Sequence, residues 1–285
     1  MLEIFQHDFV RNAFLAGSVV AIVSGLVGYF VVLRGQAFAC EALSHIGFTG
    51  ATAAALLGVG SLEGMIFFTL LAALGMGFLG RRLRSRDIEV GMVLTFMLGL
   101  GVLFLSIITQ NATTAVNILF GSILSVTHSD VLVTSGAGLL TILLLVCLFR
   151  PLLFASFDPD VAEARGVPAQ GLSLLFLLLL ALSVSEAMKV VGVLLVFALL
   201  VVPAATTEHL THRPLSAIIL SVSISLISTW GGLILAFIGH WPVSFYIVSL
   251  TSLFYFTSLG IRAIHTPHRF RAPSHPNREV FPPTP

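Results

Sequence analysis

Apolar stretches with few charges recur along the whole chain, at about 10–33, 39–58, 62–80, 90–109, 131–150, 171–186, 188–204, 215–238 and 243–261. Most are about 18 to 25 residues long, which is what roughly 30 Å of hydrocarbon demands of a helix rising about 1.5 Å per residue. Lipid offers no partner to a backbone N–H or C=O, so segments of this kind must bond internally as helices. The expected fold is therefore all-α, a polytopic membrane helical bundle with eight or nine transmembrane helices. The count turns on 171–204, which is too long for one span and contains Glu186 and Lys189. These two either mark a short external turn or pair at i,i+3 within a bent helix, and the turn is the favoured reading.

Orientation follows from arginine, because Lys and Arg accumulate in short cytoplasmic loops. With nine spans and the 81–86 loop (Arg81, Arg82, Arg84, Arg86) inside, Arg34, Arg150, Arg165, Arg213, Arg262, Arg269, Arg271 and Arg278 also fall inside. Arg11 and Lys189 are the exceptions. The N-terminus is then outside, together with His7, Asp8, the stretch 110–130 with His128, and His240. The segment Met1 to Phe9 carries Glu3 and Asp8 in place of a basic region, so no cleaved signal peptide is expected. A transmembrane domain is expected over 1–265. Residues 266–285, rich in Pro, His and Arg, read as a disordered cytoplasmic tail; histidines at 265, 268 and 275 are most simply solvated. The two cysteines, Cys40 and Cys147, lie in apolar context and define no disulfide framework.

In a chain that is 57% hydrophobic and only 9% charged, ionisable groups inside a span need a reason to be there. Glu41 and His45 lie four residues apart and so share one face of the second span. A carboxylate oxygen with an imidazole nitrogen suits Zn²⁺, Mn²⁺ or Fe²⁺ better than Ca²⁺ or Mg²⁺. Two ligands make a weak, transient site, as a conduit needs; the plainer reading is a Glu–His hydrogen bond tying two helices together. Cys40 points about 100° away around the helix and reads as an inert buried thiol. Small residues Gly47, Gly50, Ala51, Ala54 and Ala55 mark the helix as closely packed.

A second constellation, Asp158-Pro159-Asp160-Val161-Ala162-Glu163-Ala164-Arg165-Gly166, lies between spans on the cytoplasmic side. Asp158 or Asp160 can cap a short helix that Gly166 ends. Such an element suits docking of a soluble partner, or serves only as a solvated connector. Catalysis is not expected. There is no phosphate-binding Gly-rich loop ending in Lys, the only lysine being Lys189, and neither a Gly-x-Ser-x-Gly elbow nor a His-Glu-x-x-His helix occurs.

Several ordered motifs together resemble the permease subunits of bacterial ABC importers for zinc, manganese and iron. They are Val32-Leu33-Arg34, then Glu41-Ala42-Leu43-Ser44-His45 and Gly50; Phe120-Gly121-Ser122-Ile123-Leu124; and Val191-Gly192-Val193-Leu194-Leu195 through Pro203-Ala204-Ala205-Thr206. The patch 158–167 stands where that family has its coupling helix. The resemblance implies that Glu41 and His45 are metal ligands or gate residues of the translocation path. It also implies that Asp158, Asp160, Ala162, Glu163, Arg165 and Gly166 form the partner-binding surface. The implied assembly is a homodimer in the bacterial inner membrane with the pore at the dimer interface. Two cytoplasmic ATPase subunits and an extracytoplasmic metal-binding protein complete it. No cofactor is held permanently; the cargo is a divalent metal, zinc or manganese and possibly iron. His7, Asp8, His128, Asp130 and His240 are candidates to relay the ion from outside. One position departs from the family pattern: most relatives place Asp where this chain has Glu41, and the extra methylene moves the carboxylate about an ångström or more. A stand-alone, proton-coupled secondary transporter is the competing reading.

Overall fold

The computed structural model describes residues 8–79, 86–107, 121, 123, 126–211, 213–239 and 241–265. Among these the chain forms ten helices and no strand. They are α1 (Asp8–Leu33), α2 (Ala37–Leu57), α3 (Ser61–Leu79), α4 (Arg86–Ile107), α5 (His128–Phe157), α6 (Pro159–Ala164), α7 (Ala169–Val191), α8 (Val193–Leu210), α9 (Pro214–Ile238) and α10 (Val243–His265). Eight of them are long and apolar enough to cross a membrane. The short α6 is one exception. The other is α2, whose 21 residues give it the length while Glu41, His45 and its run of small residues leave it less apolar than the rest. The tail expected over 266–285 lies outside the described residues, as do Arg81, Arg82 and Arg84.

The bundle protects α2 by enclosure. It packs on α3 and α4 and also on α7 and α8, while α1 packs on α5, α7, α8 and α9. α2 and α3 approach each other closely. A Cβ added at Gly50 would stand 2.8 Å from the carbonyl carbon of Gly64 and 2.9 Å from Met65 Cα, so backbone rests directly on backbone there. Lipid gives apolar helices no hydrophobic reason to associate, so such contact, with its many dispersion terms, is what holds them. Hydroxyls add interhelical bonds: Thr49 Oγ1 donates to Met97 O (2.8 Å), and Thr69 and Ser185 share a bond of 2.7 Å. At about 0.6 kcal/mol each, such bonds fix the register of α2 on α4 and of α3 on α7 more than they stabilise.

The core centres on the fully buried Phe30, Leu43, Ile46, Phe176, Leu180, Met188, Leu199 and Leu200. Phe30 meets Phe149 edge to face with ring centroids 5.7 Å apart. Arg34 closes this region at the inferred cytoplasmic end, its guanidinium 5.5 Å from the ring centre of Phe176 and donating to Ser156 Oγ at 3.0 Å.

The turn expected around Glu186 and Lys189 is not there. Both residues lie within α7, which runs unbroken to Val191. The chain breaks at Gly192, whose φ of +86° a side chain would oppose, and α8 starts at the next residue. Glu186 is buried, and Lys189 pairs not with it but with Asp130 of α5 at 3.5 Å, also donating to Ser61 of α3 at 3.4 Å. Lys189 thus ties together the N-terminal ends of α3 and α5 and the C-terminal end of α7.

Candidate functional site

A tight turn through Gly35 reverses the chain between α1 and α2, and α2 begins at Ala37. Glu41 falls in its second turn and His45 in the next. Their side chains meet, with His45 Nε2 3.1 Å from Glu41 Oε1. Neighbours on α2 point inward: Ala42, Leu43, Ser44 and Ile46 are buried, and Cys40 is fully so. The pair is not. His45 and Glu41 side chains keep 32% and 39% of their surface, and Phe38, one turn earlier on the same stripe, is 42% exposed. Over the first three turns of α2, the acid and the imidazole therefore stand on the stripe that the described residues leave part-open.

Geometry suits one shared ion. Donor atoms each about 2.1 Å from a metal stand roughly 3.0 to 3.4 Å apart for right-angled to tetrahedral coordination, and the observed gap of 3.1 Å falls in that window. In the metal-free pair the imidazole N–H donates to the carboxylate; a metal takes the lone pair of the same nitrogen once that proton is gone. No group of three or more His, Cys, Asp or Glu stands together among the described residues, which offer two ligands here.

The second constellation lies at the C-terminal end of α5. Asp158 caps α6 by accepting from Val161 N at 3.0 Å, and Pro159 opens the helix. The helix ends through Gly166, which has φ +81°. Of the six residues assigned to the partner surface, Asp158, Asp160, Glu163, Arg165 and Gly166 are exposed. Ala162 is not: it has no exposed surface and seats α6 on Ala155, Ala169 and Leu172. Arg165 lies over Phe154, 5.9 Å from its ring centre, which pins the far end of the element. Sequence reasoning missed Val161, 42% exposed on the same outward face; an apolar residue standing among charges was the available signal. Beside α6 runs a groove of about 230 Å³ between the ends of α5 and α7, lined by Arg34, Ser156, Glu163, Gln170 and Ser173 among others.

The relay candidates among the described residues form no cluster. Asp8 pairs with Arg11 at 3.1 Å on the exposed end of α1, and His128 stands exposed at the start of α5. Asp130 is committed twice, to Lys189 and to a capping box with Thr127. The spacing Thr127-x-x-Asp130 was legible as that box. His7 and His240 lie outside the described residues.

Apolar spanning helices around a less apolar one that bears an open acid–imidazole pair, with a capped amphipathic element at one end, define a multi-pass membrane transport protein. The chain belongs to the ABC 3 transport family, whose profile matches residues 6–262. It is 33% identical over 272 residues to the manganese import system permease protein ScaB of Streptococcus parasanguinis, covering 95% of this chain and 96% of that one. It is 32% identical over 232 residues to the manganese transport system membrane protein MntC of Halalkalibacterium halodurans, covering 81% and 80%. Among solved structures, PsaBC from Streptococcus pneumoniae in complex with Fab superposes with a TM-score of 0.81 at 32% identity, covering 91% of this chain and 95% of the matched chain. The chain is thus a permease of the cell membrane, a transport component without catalysis of its own, as the motif resemblance implied.

Proposed function

We propose that this chain is the membrane subunit of an ATP-driven importer that passes Mn²⁺ into the cytoplasm along a path bordered by Glu41 and His45. The observation that carries the reading is the 3.1 Å pair on the open stripe of α2. Manganese is favoured over zinc or iron by the relatives' names, and one carboxylate with one imidazole is compatible with all three.

Two ligands cannot hold an ion for long. A second copy related by a two-fold axis, with its own α2 stripe facing this one, supplies the same pair again, giving two carboxylates and two imidazoles around one ion. Drawing the two stripes apart halves the ligand set and lets the ion go, so a modest movement converts a holding site into a releasing one. An extracytoplasmic binding protein delivers the ion. Separate ATPase subunits dock on the outward face of α6, where Asp160, Val161, Glu163 and Arg165 are available, and the buried Ala162 passes their movement to α5 and α7.

The test is metal uptake into proteoliposomes that contain the permease, its ATPase and its binding protein. ATP-dependent Mn²⁺ accumulation that collapses in His45→Ala, while the complex still assembles, is the expected result. Uptake that needs no ATP would revive a stand-alone proton-coupled transporter; uptake indifferent to His45 would make the pair structural.

A further inference from the structure

The seam between α5 and α7 carries an acid that transport of the metal does not use. Glu186 is 2% exposed, its Oε1 has no hydrogen-bond partner, and it forms no ion pair among the described residues. It faces Gly138 of α5, where an added Cβ would stand 3.8 Å from Glu186 Oε2 and 2.7 Å from Val19 Cγ1 of α1. Three helices therefore enclose it. Asp130, Thr134 and Gly138 follow one another at four-residue intervals and share a face of α5. Thr141, one turn beyond, is fully buried, and its hydroxyl is also unpartnered. On α7 itself Ser185 and Met188 look elsewhere, toward Thr69 and Gly47, which sets Glu186 apart from the Glu41–His45 stripe.

Charges on the surrounding elements are accounted for. Asp8 and Arg11 of α1 pair with each other at its exposed outer end, and Tyr29 lies far down the same helix. Glu63 stands in the first turn of α3, and Glu41 and His45 engage each other on α2. His128 is exposed at the start of α5, with Cys147 and Arg150 well beyond Gly138 toward its other end. Glu208 and His209 lie in the last turn of α8, and Asp160 and Glu163 on α6. Lys189, one turn outward on α7, is the charge nearest in sequence to Glu186 on its own helix, and in this structure it is held by Asp130.

An ionised carboxylate with neither donor nor counter-ion is untenable in such surroundings; it must take a proton or gain a partner. We propose that the junction of α1, α5 and α7 is a proton-binding site. Glu186 holds a proton while Lys189 is engaged by Asp130. When the outer ends of α5 and α7 separate, Lys189 turns back to Glu186, whose O–H bond breaks and whose proton leaves to water at the outer mouth. The ammonium keeps its own protons throughout, so closing the outer end takes up one proton per chain.

Infrared spectroscopy of the full chain in lipid vesicles tests this. A protonated-carboxyl carbonyl band, shifted by D₂O, should be present in the wild type and missing in Glu186→Gln. Asp130→Asn, which frees Lys189, should remove the same band, and Lys189→Met added to it should bring the band back. If Glu186→Gln fails to fold, the second and third variants still read the band with Glu186 intact. Absence of the band in the wild type, or its indifference to Asp130→Asn, overturns the proposal. A band that appears only when Na⁺ is withdrawn would assign the site to a metal ion instead and would overturn it equally.

Discussion

Replacing Gly50 by alanine tests whether backbone contact between α2 and α3 sets the position of the Glu41–His45 pair. The new methyl would lie 2.8 Å from the Gly64 carbonyl carbon and 2.9 Å from Met65 Cα, with the Gly64 oxygen nearer still. Ordinary carbon contact begins at about 3.5 Å, so the two helices must part by roughly 0.7 Å or more, and neither obstacle is a side chain able to rotate away. Overpacking of this kind costs about 1–3 kcal/mol. Gly47→Ala is the internal control, because its methyl meets the Sδ and Cε of Met188, the mobile end of a flexible side chain. Thermal unfolding of the purified protein in detergent should show Gly50→Ala losing several degrees and Gly47→Ala clearly less. Mn²⁺ uptake should follow the same order, since His45 lies five residues from Gly50 on the helix being displaced. Equal stability of the two variants, or a Gly50→Ala protein as stable as the wild type, would refute the view that this crossing is sealed by backbone.

Glu41→Ala and His45→Ala should each leave the bundle folded, because both side chains are part-exposed. Loss of a partner outside a metal's direct ligands typically costs 10–100-fold, so removing a direct ligand should cut uptake by about that much or more. Asp158→Ala removes the cap of α6 and should cost that element about 1 kcal/mol; ATP hydrolysis in the assembled complex should then run with less uptake per ATP, read as a ratio of the two rates. Val161→Glu on the outward face should weaken co-purification of the ATPase, whereas Ala162→Leu should destabilise the permease itself by about 1–3 kcal/mol through overpacking. Thr49→Val removes the bond to Met97 O and should cost only about 0.6 kcal/mol in unfolding, a value that separates register from stability.

The spans were legible because the length of an apolar run and the need to bond every backbone group leave few other solutions. Glu41 and His45 were legible from their spacing, and their mutual contact follows from helix geometry. The openness of their stripe was not, since it depends on which faces of α2 are covered by α3, α4, α7 and α8. The break between α7 and α8 misled for a physical reason. Polar residues usually mark an end, yet Glu186 is enclosed by three helices and Lys189 finds Asp130, so the helix continues past both and Gly192 supplies the turn. Ala162 belonged to a surface patch by position alone; that it faces inward depends on the register that the Asp158 cap imposes.

The shortfall of α2 in hydropathy bears on how the protein is made. A helix carrying Glu41 and His45 among glycines and threonines has little to gain from hydrocarbon while alone, and charged residues at the centre of a span oppose its insertion by about 2.5 kcal/mol or more each. Its flanking helices α1 and α3 are apolar enough to partition on their own. With only short turns at 34–36 and 58–60, they draw α2 into the bilayer between them. Assembly around Glu41 and His45 is therefore a late event: the helix that bears them is a passenger during insertion, and acquires a settled place only when α3, α4, α7 and α8 have closed around it.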